Sequence, residues 1–255
     1  MTMPAIFLGH GTPMNALDDN AYTRAWAALG ARFHPRAILA ISAHWFLPGV
    51  AVTAADPPRT IHDFGGFPRA LFEVRYPAPG DPALVRRVNE LLGPGVRHDR
   101  EWGLDHGTWS VLVHAFPKAD VPVVQLSIDE TQPAQFHYDL AKRLGPLRDE
   151  NVLIVGSGNV VHNLHEYAWS GSAPGRDWAS RFESRAKELL LAGDHAPLVD
   201  YASLGDDAML SIPTPEHYLP LLYIAAQQRE GDAVTFPTAG IEGGSLSMLS
   251  VLVGG

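Results

Sequence analysis

The chain has 255 residues, 46% hydrophobic and 18% charged, with no cysteine and a formal net charge of -9. No cysteine means no disulfide, no thiolate metal ligand and no cysteine nucleophile. With no block of Lys and Arg, nucleic acid and anionic membrane are excluded as partners, because both need a basic footprint. No apolar run reaches the roughly 20 residues that span a bilayer. Met1 to His10 has no basic n-region and no cleavage pattern, so no signal peptide is read and a soluble cytoplasmic protein is expected.

In chain order, Pro4 to Leu8 is a short apolar run that stops at Gly9-His10-Gly11-Thr12-Pro13, the pattern of a buried strand entering a turn. Ala37 to Trp45 is a second run. It is continuously apolar rather than alternating, as expected of a strand covered on both faces. The Pro- and Gly-rich stretch from Asp56 to Gly80 is long for a loop, and loops of that length usually serve a site. Its Phe64, Phe67, Leu71, Phe72 and Tyr76 argue that it packs. Asp81 to Leu92 reads as a helix, Val121 to Ile128 as a strand, Gln132 to Leu147 as a helix and Asn151 to Val155 as a strand. Trp178 to Leu191 is a further helix, and Leu246 to Val253 a last strand. Strands alternating with helices predict an α/β fold. Residues 1–255 are expected to form a single domain with a central mixed or mostly parallel sheet flanked by helices.

The chain holds 12 histidines, and their places matter more than their number. His10 follows the first strand, His44 lies at the end of the second, and His162 follows the strand 151–155 through Gly156-Ser157-Gly158-Asn159. His217 lies in the prolyl turn Pro213-Thr214-Pro215-Glu216-His217-Tyr218, which opens a helix. Ligands of open α/β sheets bind outside the carboxyl ends of the strands, so parallel strands would bring these four together. A single histidine at a strand end is commonly just a hydrogen-bonded surface residue; the weight lies in the set. His34, His98, His114, His137, His165 and His195 need no special role. His62 and His106 are intermediate, each beside an acidic residue and near aromatics, as in a pocket wall. There is no Walker A, no G-x-G-x-x-G, no G-x-S-x-G and no H-E-x-x-H. Any metal would therefore be held by imidazole and carboxylate, which suits zinc or iron.

Six segments carry a family resemblance: Phe7-Leu8-Gly9-His10-Gly11-Thr12-Pro13-Met14, Ser42-Ala43-His44-Trp45, Ile61-His62-Asp63-Phe64-Gly65-Gly66-Phe67-Pro68, Leu104-Asp105-His106-Gly107, Gly156-Ser157-Gly158-Asn159-Val160-Val161-His162-Asn163 and Thr214-Pro215-Glu216-His217-Tyr218-Leu219-Pro220. Each is weak alone. As an ordered set running through nearly the whole chain, they resemble the DOPA-type class III extradiol ring-cleavage dioxygenases. The resemblance implies one divalent metal, Fe(II) for activity or Zn(II) as loaded, with His10 and His44 as ligands. It implies His217 as the third ligand, with adjacent Glu216 the alternative, since neighbouring residues point about 100° apart. It also implies that His162 is the acid-base histidine beside the metal, completing the shell in a resting zinc form, and that its ordinary near-neutral pKa suits both roles. His106 would hydrogen-bond substrate or oxygen, and Trp45, Phe64 and Phe67 would wall the ring. The implied partners are a small catechol, such as 3,4-dihydroxyphenylalanine, and O₂. Two other readings of the same histidines stand beside this one: a zinc hydrolase, and a non-catalytic metal-binding protein with a closed shell.

Overall fold

The apolar runs of the sequence become central strands because only a strand covered on both faces can bury every residue along its length. The computed structural model describes residues 2–169 and 173–255. Its strands are β1 (Ala5–Gly9), β2 (Ala37–Leu47), β3 (Ala51–Thr53), β4 (Arg97–Asp99), β5 (Val123–Asp129), β6 (Val152–Gly158), β7 (Val234–Thr238), β8 (Ile241–Glu242), β9 (Leu246–Ser247) and β10 (Ser250–Val253). Eight form one sheet in the order β4-β3-β5-β2-β6-β1-β10-β7, while β8 and β9 pair separately. The four central strands β5, β2, β6 and β1 run parallel. Antiparallel pairing enters on both sides, at β3 against β5 and at β10 against β1. The sheet is therefore mixed with a parallel centre, as the sequence predicts.

Alternate residues of the central strands feed two cores. Ala5, Phe7, Leu39 and Ile41 face one layer, with Leu84, Val88, Leu140, Leu189 and Leu221 from the helices Pro82–Leu92, Ala134–Arg143, Asp177–Ala192 and Leu219–Ala225. Ile6, Leu8, Ile38 and Ala40 face the other, with Trp26, Leu29, Trp109 and Leu112 from the helices Ala21–Arg32 and His106–Ala115. This is the period of two that a pleated strand imposes.

The structure corrects several boundaries. The expected last strand divides into β9 and β10, since Met248 and Leu249 belong to neither. The expected helix 132–147 breaks before Pro146, which opens a second short helix at its first turn, where a missing N–H costs nothing. The strands β3, β4 and β7 were not read from the sequence. The first two have only three residues each, and β7 contains Pro237, which a strand tolerates at a sheet edge, where β7 lies. The long loop packs as expected: Leu71 and Tyr76 are buried, and a short helix, Arg69–Glu73, forms within it.

Candidate active site

The carboxyl ends of β1, β2 and β6 lie side by side in the parallel centre of the sheet. His10 is the first residue after β1, and its backbone N–H donates to the Gly158 carbonyl at the end of β6. His44 lies within β2 rather than at its end. Here the pairing with β5 shifts register between Ile41 and Phe46, so the backbone leaves regular pleating where the side chain must turn toward the site. His217 arrives from the prolyl turn. Its carbonyl accepts from the Asn159 N–H at 2.9 Å, and a Cβ on Gly158 would stand 2.1 Å from that carbonyl, so only glycine lets the turn approach β6. His162 is held by its backbone N–H to Ser211 and by an isolated bridge to Leu246.

The rings gather closely. Centroids of His10, His44 and His217 are 5.0 to 5.4 Å apart. His106 lies 3.8 Å from His44, and His162 stacks on His217 at 3.5 Å with the planes 3° apart. Two groups of three have donor atoms within 4.8 Å of one another, His10-His44-His106 and His162-Glu216-His217. The Nε2 atoms of His10 and His44 are 3.3 Å apart. Two nitrogens each about 2.0–2.1 Å from a tetrahedral ion would stand about 3.3–3.4 Å apart, so this spacing fits a shared cation.

The other ring nitrogens are occupied. Ser157 Oγ donates to the Gly107 carbonyl, so it accepts from Nδ1–H of His10 at 2.9 Å and leaves Nε2 bare. Glu216 Oε1 accepts from Nδ1–H of His217 at 3.1 Å and from the Thr214 hydroxyl at 2.8 Å. Asp63 Oδ2 lies 2.9 Å from Nδ1 of His106 and 3.5 Å from Nδ1 of His44, while its Oδ1 accepts the His106 backbone N–H at 2.9 Å. Carboxylate and hydroxyl partners of this kind fix the tautomer and aim of metal-binding imidazoles. Sequence reading did not assign Asp63. It stands 43 positions from His106, and only a fold pairs them. Asp105, adjacent in sequence, has a different task. It caps the helix His106–Ala115 and accepts from Ser42 and Gln125. Burial pushes its pKa up to about 6, with Asp63 nearby adding to the rise.

Burial also keeps the imidazoles of His10, His44, His162 and His217 neutral, the form that offers a lone pair. Desolvation lowers His10 and His217 well below the ordinary value, helped by repulsion from the neighbouring imidazoles. It takes His44 to about 3 and His162 to about 4, the Glu216 carboxylate opposing the shift in both. The near-neutral pKa expected for His162 is thereby corrected. The donor set fits a divalent metal.

A cavity of about 710 Å³ opens over these rings, bounded by Phe64, Phe67, Leu164, Trp169 and Leu246. Phe64 and Phe67 thus wall the site as expected, but Trp45 does not. It is buried against Trp102, rings stacked at 5.7 Å, and is absent from the lining. His62 lies behind the wall with Nε2 on the Val74 carbonyl. His34 and His98 line no part of the cavity, His165 is exposed beside it, and His114, His137 and His195 are bonded to Asn15, Tyr223 and Tyr138 elsewhere.

The chain is similar to known proteins over most of its length. Residues 4–226 match the family described as the catalytic LigB subunit of aromatic ring-opening dioxygenase. A protein of Escherichia coli (strain K12) named 4,5-DOPA dioxygenase extradiol is 52% identical, over 99% of this chain and 95% of its own. A protein of the same name from Beta vulgaris is 40% identical, over 84% and 83%. A crystal structure of an uncharacterized protein from Escherichia coli K12 superposes with a TM-score of 0.86 at 47% identity, covering 99% of this chain and all 100% of that one. On these matches the chain belongs to the family of the catalytic LigB subunit of aromatic ring-opening dioxygenases, and is an extradiol ring-cleaving enzyme of the DOPA type.

Proposed function

We propose that His10, His44 and His217 hold one divalent metal, Fe(II) in the active enzyme and Zn(II) as an alternative load, and that the ring opened is that of 3,4-dihydroxyphenylalanine or a related substituted catechol. The 3.3 Å spacing of the two Nε2 atoms is the observation that carries the metal assignment. Relatives named for DOPA, at 52% and 40% identity, support the substrate. When bound, the metal supplies a cationic centre that both catechol oxygens and O₂ can reach, and acidifies the hydroxyls.

The protein's own groups do the rest. His162 is neutral at pH 7, free to accept a hydroxyl proton and to return it as the ring opens. Its stacking on His217 keeps that proton next to the metal-facing ring. His106, gripped by Asp63 at both its backbone N–H and Nδ1, presents Nε2 as a fixed hydrogen-bonding atom for substrate or oxygen. Phe64 and Phe67 stand edge to face at 5.4 Å and exclude water from the ring's position. Among the described residues the groups of three potential ligands are His10-His44-His106 and His162-Glu216-His217, and the proposed triad takes two members from the first and one from the second.

The test is oxygen uptake by the iron-loaded protein on a panel of catechols, with metal analysis of the protein used. One O₂ should disappear per catechol as visible absorbance of the conjugated product rises, and the matching monophenol should not react. Ester or amide hydrolysis with zinc, without oxygen uptake, would replace this reading by the hydrolase one.

A further inference from the structure

The cavity has a second end, and its chemistry is unlike that of the histidines. Glu242 of β8 lines it there, half-buried. Among the described residues its carboxylate has neither a hydrogen-bond donor nor a cation. Burial, with Asp18 nearby, pushes its pKa up, so the carboxylate would gain from a positive partner. The ring of Tyr167 packs directly on Gly243, where an added Cβ would stand 2.1 Å from it, and burial, with the Glu242 charge adding to it, raises the pKa of this phenol. Trp169 stands 4.9 Å from Tyr167, inclined at 65°, and is 73% exposed although it lines the cavity. A carboxylate beside two aromatic rings is a site for an alkylammonium, by ion pairing and by attraction to the ring faces.

The register places this end relative to the reaction. Glu242 pairs with Leu246, and Leu246 bridges to His162. Directly paired residues project to one face, so the three form a row, with Glu242 two strand spacings, about 10 Å, from His162. That is about the reach of a catechol with a short aminoalkyl arm, hydroxyls at the histidines and nitrogen at Glu242. No Arg or Lys lines the cavity among the described residues. Arg176, in the adjoining loop, is held by Glu166 at 3.0 Å. An anionic arm would therefore meet one carboxylate and no cation.

We infer that Glu242, with Tyr167 and Trp169, selects catechols by a cationic amine on the side chain, and that a carboxylate on that arm is neither needed nor recognised. This rests on the ring-opening reading above and adds the class of side chain. A catecholamine ranks first, a zwitterionic amino acid is accepted through its ammonium, and a catechol acid ranks last.

Dopamine, 4-methylcatechol and 3,4-dihydroxyphenylacetate are suitable cationic, neutral and anionic probes for the iron-loaded enzyme. We expect kcat/KM to fall in that order, with the difference mainly in KM. In Glu242→Gln the ratio of dopamine to 4-methylcatechol should fall about tenfold, as for loss of one charged hydrogen-bonded partner. Glu242→Lys should raise the ratio of 3,4-dihydroxyphenylacetate to 4-methylcatechol. A merely structural Glu242 would change all three substrates together and leave the ratios alone. Unchanged ratios, or a preference of the native enzyme for the anionic probe, would overturn the proposal. If none of the three consumes oxygen, the ring-opening reading fails instead. Calorimetric binding of dopamine to the zinc-loaded protein and its Glu242→Gln variant then decides the charge recognition, with equal affinity counting against it.

Discussion

Asp63 and His162 show how single side chains divide the work around the histidines. His162 touches no carboxylate directly and lies beside the ring of His217, the proposed ligand, whereas Nδ1 of His217 is tied to Glu216. His162→Ala is therefore expected to keep most of its metal and to lose turnover by ~10²–10⁴-fold, the range for general acid-base catalysis. His10→Ala should lose the metal itself. Metal content of both purified variants measures the difference, and equal loss would make His162 a structural ligand. Asp63 acts through others, since one carboxylate oxygen reaches both His106 and His44. Asp63→Asn keeps an acceptor for the His106 backbone N–H but loses the charge. It is expected to lower kcat or metal affinity roughly 10–100-fold, as for other partners of metal-site imidazoles. Unchanged kcat and metal affinity would reduce Asp63 to a helix-start contact.

The close approach of elements is as decisive as the side chains. β6 ends in Gly158 against the turn that carries His217, and the Asn159 N–H closes the contact. Gly158→Ala forces a methyl group toward the His217 carbonyl, and overpacking of this kind costs about 1–3 kcal/mol. Thermal unfolding should show a lower Tm, and titration a weaker metal affinity because the turn is displaced. Gly95→Ala is the control, since an added Cβ there meets nothing within 4 Å. Equal Tm for the two variants would show that the turn shifts freely. The register change in β2 is a second device of this kind. It frees the backbone at His44 for the site while Ile38 to Ile41 stay in the central ladder.

The whole molecule carries a cost from this site. Four of its imidazoles, those of His10, His44, His162 and His217, are held neutral by burial. Their folded-state pKa values are depressed below the ordinary value near 6.5, so below about pH 6.5 the unfolded chain binds protons that the folded chain does not. Stability must then rise with pH and be lost as pH falls from about 6.5 through the values of about 4 for His162 and about 3 for His44. Asp105, raised to about 6, works in the opposite direction between its unfolded value near 3.8 and about 6, but it is one group against four. The metal-free protein should therefore have a lower urea midpoint at pH 5 than at pH 7.5. A midpoint independent of pH would mean that the rings are solvated. Among the described residues no helix is long and apolar enough to cross a membrane.

Continuous apolar runs at 37–45 and 151–155 were legible as central strands because local composition alone dictates two-sided burial, and the histidines after them were legible because turns follow strands in sequence. The ordered motifs added the metal site and the reaction. The resemblance implies Trp45 in the ring wall, but strand alternation and the Trp102 stack put it in the interior. Which carboxylate aims which imidazole was not legible either. Asp105 is next to His106 but serves as a helix cap, while Asp63 arrives across a long loop. Nor could the sequence place Glu242 in a row with His162, because the row passes through Leu246, whose bridge to His162 joins residues far apart in the chain. Apolar patterning is a property of neighbours in the chain, and the sequence determined the sheet and its site-bearing end. Distances between polar atoms depend on the packing of distant segments, and the tertiary structure alone decided those.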